Sequence, residues 1–336
     1  MVKVWIFGAG QMVTVEKINK GIICYHSNPP IHISQYYNYC LQLLKNKLFE
    51  IEKPVNIIFG LIKYKFNNKN LVLKIDIQCE HTLVKNGGRG VKKKYFGKVK
   101  TDDGDQYLVR IDKYEYLKDL DLIIDYSIPN LINIAESGYF EEYRKKTMVV
   151  SPLMYKVNYD STYKNDTITL FSDNMSVRRN RFLEEIKKRG INCINVNNCY
   201  SELDLLSIYK NTKILVNVHQ TCHHHTFEEL RVLPALSNGV IVISESVPLK
   251  EKIPYGEFIV WSNYEDLTDT IIEVQSNYVG YYDKIFGNKK LESLLLKMRE
   301  NDNNNLNILR SIIGTASAPK SILRQFREMN YFRKKL

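Results

Sequence analysis

The residues between 219 and 231 combine side chains that can bind an anionic ligand. The cluster consists of His219, His223, His224, His225, Thr226, Glu228, Glu229 and Arg231. Imidazole, hydroxyl and guanidinium groups donate hydrogen bonds to phosphate, and carboxylates accept them from sugar hydroxyls. We therefore predict that His219 and one of His223 to His225 face a ligand cleft and donate to phosphate or sugar hydroxyls.

The two glutamates do not share one face of the predicted helix. Glu228 and Arg231 are three residues apart and align on one side, whereas Glu229 is rotated by about 100°. We take Glu228 with Arg231 as the first pair. The carboxylate can accept hydrogen bonds from ligand hydroxyls and the guanidinium can bind an anionic group. Glu229 is the alternative acceptor.

The same turn offers a second chemistry, because imidazole and thiolate groups also bind zinc. The candidate ligands are His219, Cys222 and the three consecutive histidines. Three adjacent side chains cannot all reach one ion, and the turn lacks the separated ligand pairs of structural zinc sites. We predict no metal here, with zinc as the alternative.

Short apolar runs must position this turn. Residues 213–219, 240–244 and 258–261 are rich in β-branched side chains, which is typical of strands buried on both faces. An amphipathic helix over residues 227–239 ends at Gly239. The pattern predicts a βαβ unit whose first turn lies beyond the carboxyl end of a strand, where α/β sheets bind ligands.

The order of these parts is distinctive. It runs Ser207-Ile-Tyr-Lys-Asn-Thr-Lys-Ile-Leu-Val-Asn, a polar turn, Leu230-Arg-Val-Leu-Pro-Ala-Leu-Ser-Asn-Gly, Val-Ile-Val-Ile-Ser and Pro248-Leu-Lys-Glu. Over residues 167–274 this resembles the nucleotide-sugar domain of GT-B glycosyltransferases. The resemblance implies that the helix ending at Gly239 lies under the donor, and that this helix and its preceding loop touch ribose and diphosphate. On this resemblance, Glu228 accepts from ribose hydroxyls and Arg231 binds the diphosphate.

One position departs from that family. Many retaining members carry a second acidic residue on this helix, where this chain has Pro234. The helix is more similar to a spore-maturation-like subgroup with the pattern Leu-Arg-Val-Phe-Glu-Ala-Leu, in which Arg231 matches the arginine. The resemblance therefore supports donor binding and leaves the inverting or retaining outcome open.

A second loop predicts the proton acceptor. Glu80 and His81 follow a strand over residues 71–78, and a glycine-rich segment, residues 86–90, lies beside them. A carboxylate and an imidazole at a strand end suit a general base, and the glycines suit a movable lid. The alternatives are a backbone hydrogen bond from His81 and a simple surface hairpin.

Two further segments are candidates for the cleft. Ser172 lies in a turn before a helix whose first residues include Arg178, Arg179 and Arg181, and we assign Ser172 and Arg178 to the diphosphate. Solvated arginines on the helix surface are the alternative.

Near the start of the chain, Gly8 and Gly10 follow an apolar run and allow close approach of the backbone to a ligand. The third glycine of a dinucleotide fingerprint is replaced by Val13. A tight turn is therefore favoured over an NAD site.

The composition sets limits on function. The chain has 336 residues, a formal net charge of +11 and six scattered cysteines without a CxxC pair. We expect reduced thiols and a soluble, cytoplasmic protein, because no apolar run has the length of a membrane helix. The basic residues form no single stripe, so nucleic acid is not expected as a partner. Peripheral contact with a membrane surface stays open.

Strands alternate with helices on both sides of a polar linker at residues 151–166, which predicts an α/β protein with two facing Rossmann-like domains. We place an acceptor-side domain at residues 1–157, a nucleotide-sugar domain at 166–290 and a helical tail at 291–336. Asn301 to Asn305 predicts a break in the helical tail, and residues 321–332 predict an amphipathic helix.

Together with the GT-B resemblance, these features predict a hexosyl- or pentosyltransferase of glycan biosynthesis that uses no metal and no cofactor beyond its nucleotide-sugar co-substrate. The acceptor is a hydroxyl of a glycan, a protein or a small molecule. A non-catalytic polymer- or nucleic-acid-binding protein and an NAD-dependent oxidoreductase are the alternatives.

Overall fold

The computed structural model describes residues 12–79, 82–85, 95–100, 104–111, 114–159, 164–171, 176–223 and 225–315. The strands in these ranges are β1 Val13–Ile18, β2 Gly21–His26, β3 Val55–Phe59, β4 Leu71–Gln78, β5 Leu83–Lys85, β6 Tyr95–Lys100, β7 Gln106–Arg110, β8 Leu122–Asp125, β9 Thr147–Val149, β10 Asp166–Thr169, β11 Ile194–Asn195, β12 Thr212–Asn217, β13 Ile241–Glu245 and β14 Val260–Ser262. The α-helices are α1 Ser34–Phe49, α2 Tyr114–Leu117, α3 Ile128–Ser137, α4 Glu141–Arg144, α5 Val177–Lys188, α6 Glu202–Asn211, α7 Glu229–Ser237, α8 Leu267–Ser276, α9 Tyr278–Phe286 and α10 Lys290–Thr315.

The first lobe is built around a six-stranded sheet with the order β1-β2-β3-β4-β8-β9. Strands β2, β3, β4, β8 and β9 are parallel, and β1 pairs antiparallel with β2 at the edge. Every residue of β3 is buried, as expected for a parallel strand covered on both faces. The β1–β2 hairpin has no counterpart in our sequence predictions.

The second lobe is built around a five-stranded, fully parallel sheet with the order β11-β10-β12-β13-β14. Helix α7 connects β12 to β13 and ends before Gly239, which has a φ of +67°. A Cβ atom at this glycine would lie 3.0 Å from the Tyr159 Cα atom. Both the left-handed conformation and the close approach favour glycine here.

A small antiparallel sheet, ordered β5-β7-β6, is inserted between β4 and β8 of the first lobe. Its strand β5 reaches the second lobe. The Lys85 amide donates to the His223 carbonyl at 2.8 Å, and the Leu83 carbonyl accepts from the His225 amide at 3.4 Å. The inserted sheet therefore connects the lobes at residues 219–226, the histidine turn.

Helix α10 also joins the two lobes. The N-terminal half of α10 packs into the hydrophobic core of the second lobe through Leu291 and Leu295. The C-terminal half packs into the hydrophobic core of the first lobe through Leu306 and Ile313. The predicted break at Asn301 to Asn305 is wrong, because α10 runs through it.

The physical reason lies in polar partners supplied by the first lobe. Asp302 accepts from the Ser151 amide at 3.0 Å, and the Asn305 side chain donates to the Val149 carbonyl at 3.2 Å. These contacts satisfy polar groups that would otherwise favour a turn.

The predicted fold class is confirmed by the two Rossmann-like sheets and the long C-terminal helix. The predicted helix at residues 321–332 lies outside the described residues. Among the helices that the structure describes, none is long and apolar enough to cross a membrane.

Candidate functional site

A cavity of about 320 Å³ lies between the lobes. Strands from both sheets end at its wall. Cys79 and Tyr126 directly follow β4 and β8 of the first lobe, and Leu170 directly follows β10 of the second. The carboxyl ends of the two parallel sheets therefore face one cleft, which is the place where α/β sheets bind ligands.

The first-lobe wall of the cleft comes largely from the turn before α1. Ile31, His32, Ile33 and Gln35 line the cavity. The Gln35 side chain also crosses the cleft to donate to the Tyr200 carbonyl of the second lobe. Our sequence predictions missed His32. Recognising β2 as a parallel strand would have placed the β2–α1 turn at the cleft.

The second-lobe wall carries a cluster of charged side chains, Arg179, Glu228 and Arg231. The Arg179 Nη2 atom lies 3.3 Å from Glu228 Oε1, and Arg231 Nη1 pairs with Glu228 Oε2. Two cations and one carboxylate leave this wall with a net positive charge. An anionic ligand would therefore be attracted to it.

Helix α5 positions Arg179, which is 3% exposed. The Ser176 hydroxyl caps this helix by accepting from the Arg179 amide at 3.4 Å. The guanidinium donates to the Val218 carbonyl from Nε at 3.2 Å and from Nη2 at 3.0 Å, and it lies 4.6 Å from the Phe171 ring centroid. These contacts fix one edge of the charged group at the carboxyl end of β12.

Strand β12 and helix α7 position Arg231. Its Nη1 atom donates to Asn217 Oδ1 at 3.0 Å, and the Asn217 amide donates in turn to the Ser244 hydroxyl at 3.0 Å. Asn217 is completely buried, so the orientation of its amide is set by the strands. This arrangement holds the Arg231 guanidinium at the cavity wall.

Arg178, which we assigned to the diphosphate, lies elsewhere. Its guanidinium pairs with Glu245 at the end of β13 and lies 3.7 Å from the Tyr264 ring centroid. Burial raises the pKa of Glu245, and the charge of Arg178 opposes that shift. Arg178 does not line the cavity, where its neighbour Arg179 does.

His219 also lies behind the cavity wall and not in it. It is 2% exposed, its amide donates to Glu245 Oε2 at 2.8 Å, and its Nε2 atom has no hydrogen-bond partner among the described residues. Burial, followed by the charge of His225, lowers the His219 pKa to about 3. The imidazole is therefore neutral at physiological pH.

The rest of the histidine turn docks on the inserted sheet. Thr226 Oγ1 accepts from the amides of Thr82 at 2.9 Å and Leu83 at 3.0 Å. The His225 ring contacts Tyr107 edge to face, with 5.3 Å between ring centroids. His223 contributes its carbonyl to Lys85. These three residues of the turn therefore hold the lobes together.

Glu229 is buried between the lobes and does not line the cavity. It accepts from the Tyr255 hydroxyl at 2.7 Å. Burial raises its pKa to about 7, and nearby Asp125 of the first lobe adds to the shift. Burial also raises the Asp125 pKa to about 6. The predicted alternative acceptor thus belongs to a buried pair of carboxyl groups.

Several predicted residues lie outside the described part of the chain: Gly8, Gly10, Glu80, His81, Ser172 and His224. Glu80 and His81 directly follow Cys79, which lines the cavity. Within the described residues, no group of three His, Cys, Asp or Glu side chains is arranged to hold a metal ion.

Comparisons with known proteins give the following similarities. No protein-family model matches the chain. A stretch of 120 residues is 32% identical to "Uncharacterized protein R358" of Acanthamoeba polyphaga mimivirus, covering 34% of this chain and 42% of that protein. The match thus spans less than half of the viral relative.

The solved structures that are similar to the chain include the following two. One is accessory secretory protein 1, 2 and 3 of Streptococcus pneumoniae, with a TM-score of 0.36, 13% identity, and coverage of 80% of this chain and 58% of that one. The other is an alpha,alpha-trehalose-phosphate synthase (UDP-forming) from Burkholderia vietnamiensis, with a TM-score of 0.44, 8% identity, and coverage of 96% and 91%.

Proposed function

We propose that this chain is a glycosyltransferase that moves a sugar from a nucleotide donor to an acceptor hydroxyl. The observation that carries the proposal is the position of Arg179 and Arg231 together on one wall of an interlobe cleft, at the carboxyl ends of both sheets. A nucleotide sugar presents a diphosphate, which guanidinium groups bind through paired hydrogen bonds. The cavity volume of about 320 Å³ lies within the range of small-molecule sites.

The reaction divides between the two walls. The acceptor oxygen forms a bond to the anomeric carbon as the bond from that carbon to the phosphate oxygen breaks, and the nucleoside diphosphate leaves with the bonding electrons. Arg179 and Arg231 stabilise the negative charge that develops on the leaving group. The acceptor proton passes to a base on the first-lobe side. Because the two cations take the charge-stabilising role, we propose that no metal is required.

Three side chains are candidates for the base. Glu80 and His81 are the sequence predictions, and His32 lines the cavity opposite the arginines. Imidazole is the side chain best suited to exchange a proton near neutral pH. Single Ala substitutions at the three positions identify the base, which is the residue whose loss lowers kcat at least about 100-fold with donor binding kept. If all three variants turn over normally, this part of the proposal is wrong.

The test of the function is transfer from a panel of radiolabelled nucleotide sugars, each assayed with and without EDTA. We expect release of one nucleoside diphosphate to depend on one donor and on an added acceptor, and to survive EDTA. The matched control is Arg310→Gln, because Arg310 pairs with Glu50 away from the cleft. Arg231→Gln should abolish turnover and Arg310→Gln should not. No release from any donor would contradict the proposal.

A further inference from the structure

Glu228 bridges the two arginines of the cleft. Its Oε1 atom lies 3.3 Å from Arg179 Nη2, and its Oε2 atom pairs with Arg231 Nη1. All three side chains line the same cavity. The carboxylate thus occupies both guanidinium groups from within the protein, in the way that a ligand carrying two acceptor oxygens would.

Each arginine has a partner other than Glu228. Arg179 is held by two hydrogen bonds to the Val218 carbonyl, and Arg231 by the buried amide of Asn217. The Glu228 side chain is 14% exposed, and although Glu228 is the N-cap residue of α7, its carboxylate makes no capping hydrogen bond to the helix. Withdrawal of Glu228 would therefore leave the guanidinium groups in position and available to another anion.

A diphosphate and a carboxylate cannot share these two cations without strong repulsion, since like charges at contact distance in a partly buried site repel each other. We propose that Glu228 is an internal competitor for the Arg179–Arg231 pair, and that a diphosphate binds the cleft by displacing it. The proposal rests on the proposed function and gives Glu228 a competing role at the same site. It differs from our sequence prediction, in which Glu228 accepts from ribose hydroxyls.

Displacement also predicts a selectivity. A ligand with two linked phosphates can contact both guanidinium groups and replace both oxygens of Glu228. A single phosphate has less charge and a shorter span, so it competes less well with the carboxylate. The cleft should therefore prefer pyrophosphate to inorganic phosphate, and Glu228 should sharpen that preference.

Calorimetric titration with pyrophosphate, in buffer without metal ions, tests the proposal on the full chain. Pyrophosphate has no ribose, so the assay isolates the phosphate contact from any contact of Glu228 with a sugar. We expect Glu228→Gln to bind pyrophosphate about 10-fold more tightly than the unmodified chain, and Arg231→Gln to bind it at least about 10-fold more weakly. Glu184→Gln removes an equal charge from an exposed site on α5 and should change binding less than about twofold.

Unchanged or weaker binding by Glu228→Gln would overturn the proposal, because Glu228 would then be positioning the arginines for the ligand. Absence of binding to every variant would overturn it too. Thermal unfolding checks that Glu228→Gln is folded. If Glu228→Gln does not fold, Glu228→Asp serves instead, because its shorter side chain can reach only one of the two arginines. Glu228→Asp should bind pyrophosphate more tightly than the unmodified chain, by a smaller factor than the roughly 10-fold expected of Glu228→Gln.

The outcome can be separated from that of the transfer assay. Tighter pyrophosphate binding by Glu228→Gln without any sugar transfer would keep the displaceable anion site and reject the glycosyltransferase. If sugar transfer proceeds but Glu228→Gln weakens pyrophosphate binding, the glycosyltransferase stands and the displacement of Glu228 is rejected.

Discussion

The side chains of Arg178 and Arg231 are equally exposed, each at 21%, and from the sequence we assigned both to a diphosphate. Their surroundings differ. Arg178 pairs with the nearly buried Glu245 and stacks on Tyr264, whereas Arg231 contacts a neutral amide and a carboxylate at the wall of a cavity. The exposed fraction of the side chain therefore does not distinguish a structural arginine from one that can bind a ligand. The contacts of the guanidinium group and its position relative to the cavity do.

The largest effect we expect is on stability, from Arg178→Met. The change leaves the buried Glu245 carboxylate without its cation, which costs about 3 to 5 kcal/mol in the free energy of unfolding. Urea titration followed by circular dichroism measures the loss. Arg181→Met, at an exposed position of the same helix, is the control and should cost less than about 0.5 kcal/mol. Equal stabilities of the two variants would erase the distinction between Arg178 and Arg231.

The second prediction concerns pH and the buried Asp125–Glu229 pair. Both pKa values are raised, to about 6 and about 7, so the folded protein keeps protons that the unfolded chain has released. The stability that these groups contribute is fully present when the pH is below the pKa values of the same carboxyl groups in the unfolded chain. It is lost as the pH rises through the folded-state pKa values of about 6 and about 7. We expect the unfolding free energy to fall by about 3 to 4 kcal/mol between pH 5 and pH 8 from this pair.

Glu229→Gln isolates the Glu229 share of that pH dependence. The variant should have a flatter stability curve and should exceed the unmodified chain at pH 8, because the neutral amide carries no buried charge. His219, with its pKa lowered to about 3, acts in the opposite sense and loses stability as pH falls below 6.5. Its contribution cancels in the difference between the curves. Glu257→Gln, at an exposed site, is the control, and parallel curves for all three proteins would refute the prediction.

The smallest effect should come from Thr226→Val, which keeps the side-chain volume and removes the acceptor for two amides of the inserted sheet. The loss is about 1 to 2 kcal/mol. Hydrogen exchange should become faster at Thr82 and Leu83. Thr221→Val is the comparison, because its hydroxyl accepts from His223 within the same turn. If the two variants exchange alike, Thr226 does not join the lobes.

Most of the framework was predictable because buried parallel strands leave a clear apolar pattern. The predicted strand at residues 71–78 coincides with β4, and the predicted helix ending at Gly239 contains α7. The β1–β2 hairpin was missed because Glu16 and Lys17 interrupt its apolar pattern. The continuous course of α10 through residues 301–305 was missed because the partners of its polar side chains belong to the first lobe.

The site was harder to predict than the framework. Adjacent helical residues point about 100° apart, so Arg178 and Arg179 cannot be assigned to the cleft or to the interior without knowing how α5 is rotated. The same holds for Glu228 and Glu229 at the start of α7. The imidazole of His219 suggested a ligand contact, but the side chain is buried. Its burial depends on how β12, β13 and the histidine turn pack together. Tertiary packing, which a periodic pattern does not encode, sets each of these orientations.

The central claim is that the interlobe cleft binds a nucleoside diphosphate through Arg231. Calorimetric titration of the full chain with a panel of nucleoside diphosphates tests it most directly, with Arg231→Gln beside it. We expect one-to-one binding of at least one of them, weakened about 10-fold or more by Arg231→Gln. Binding that is unaffected by Arg231→Gln, or no binding across the panel, would contradict it.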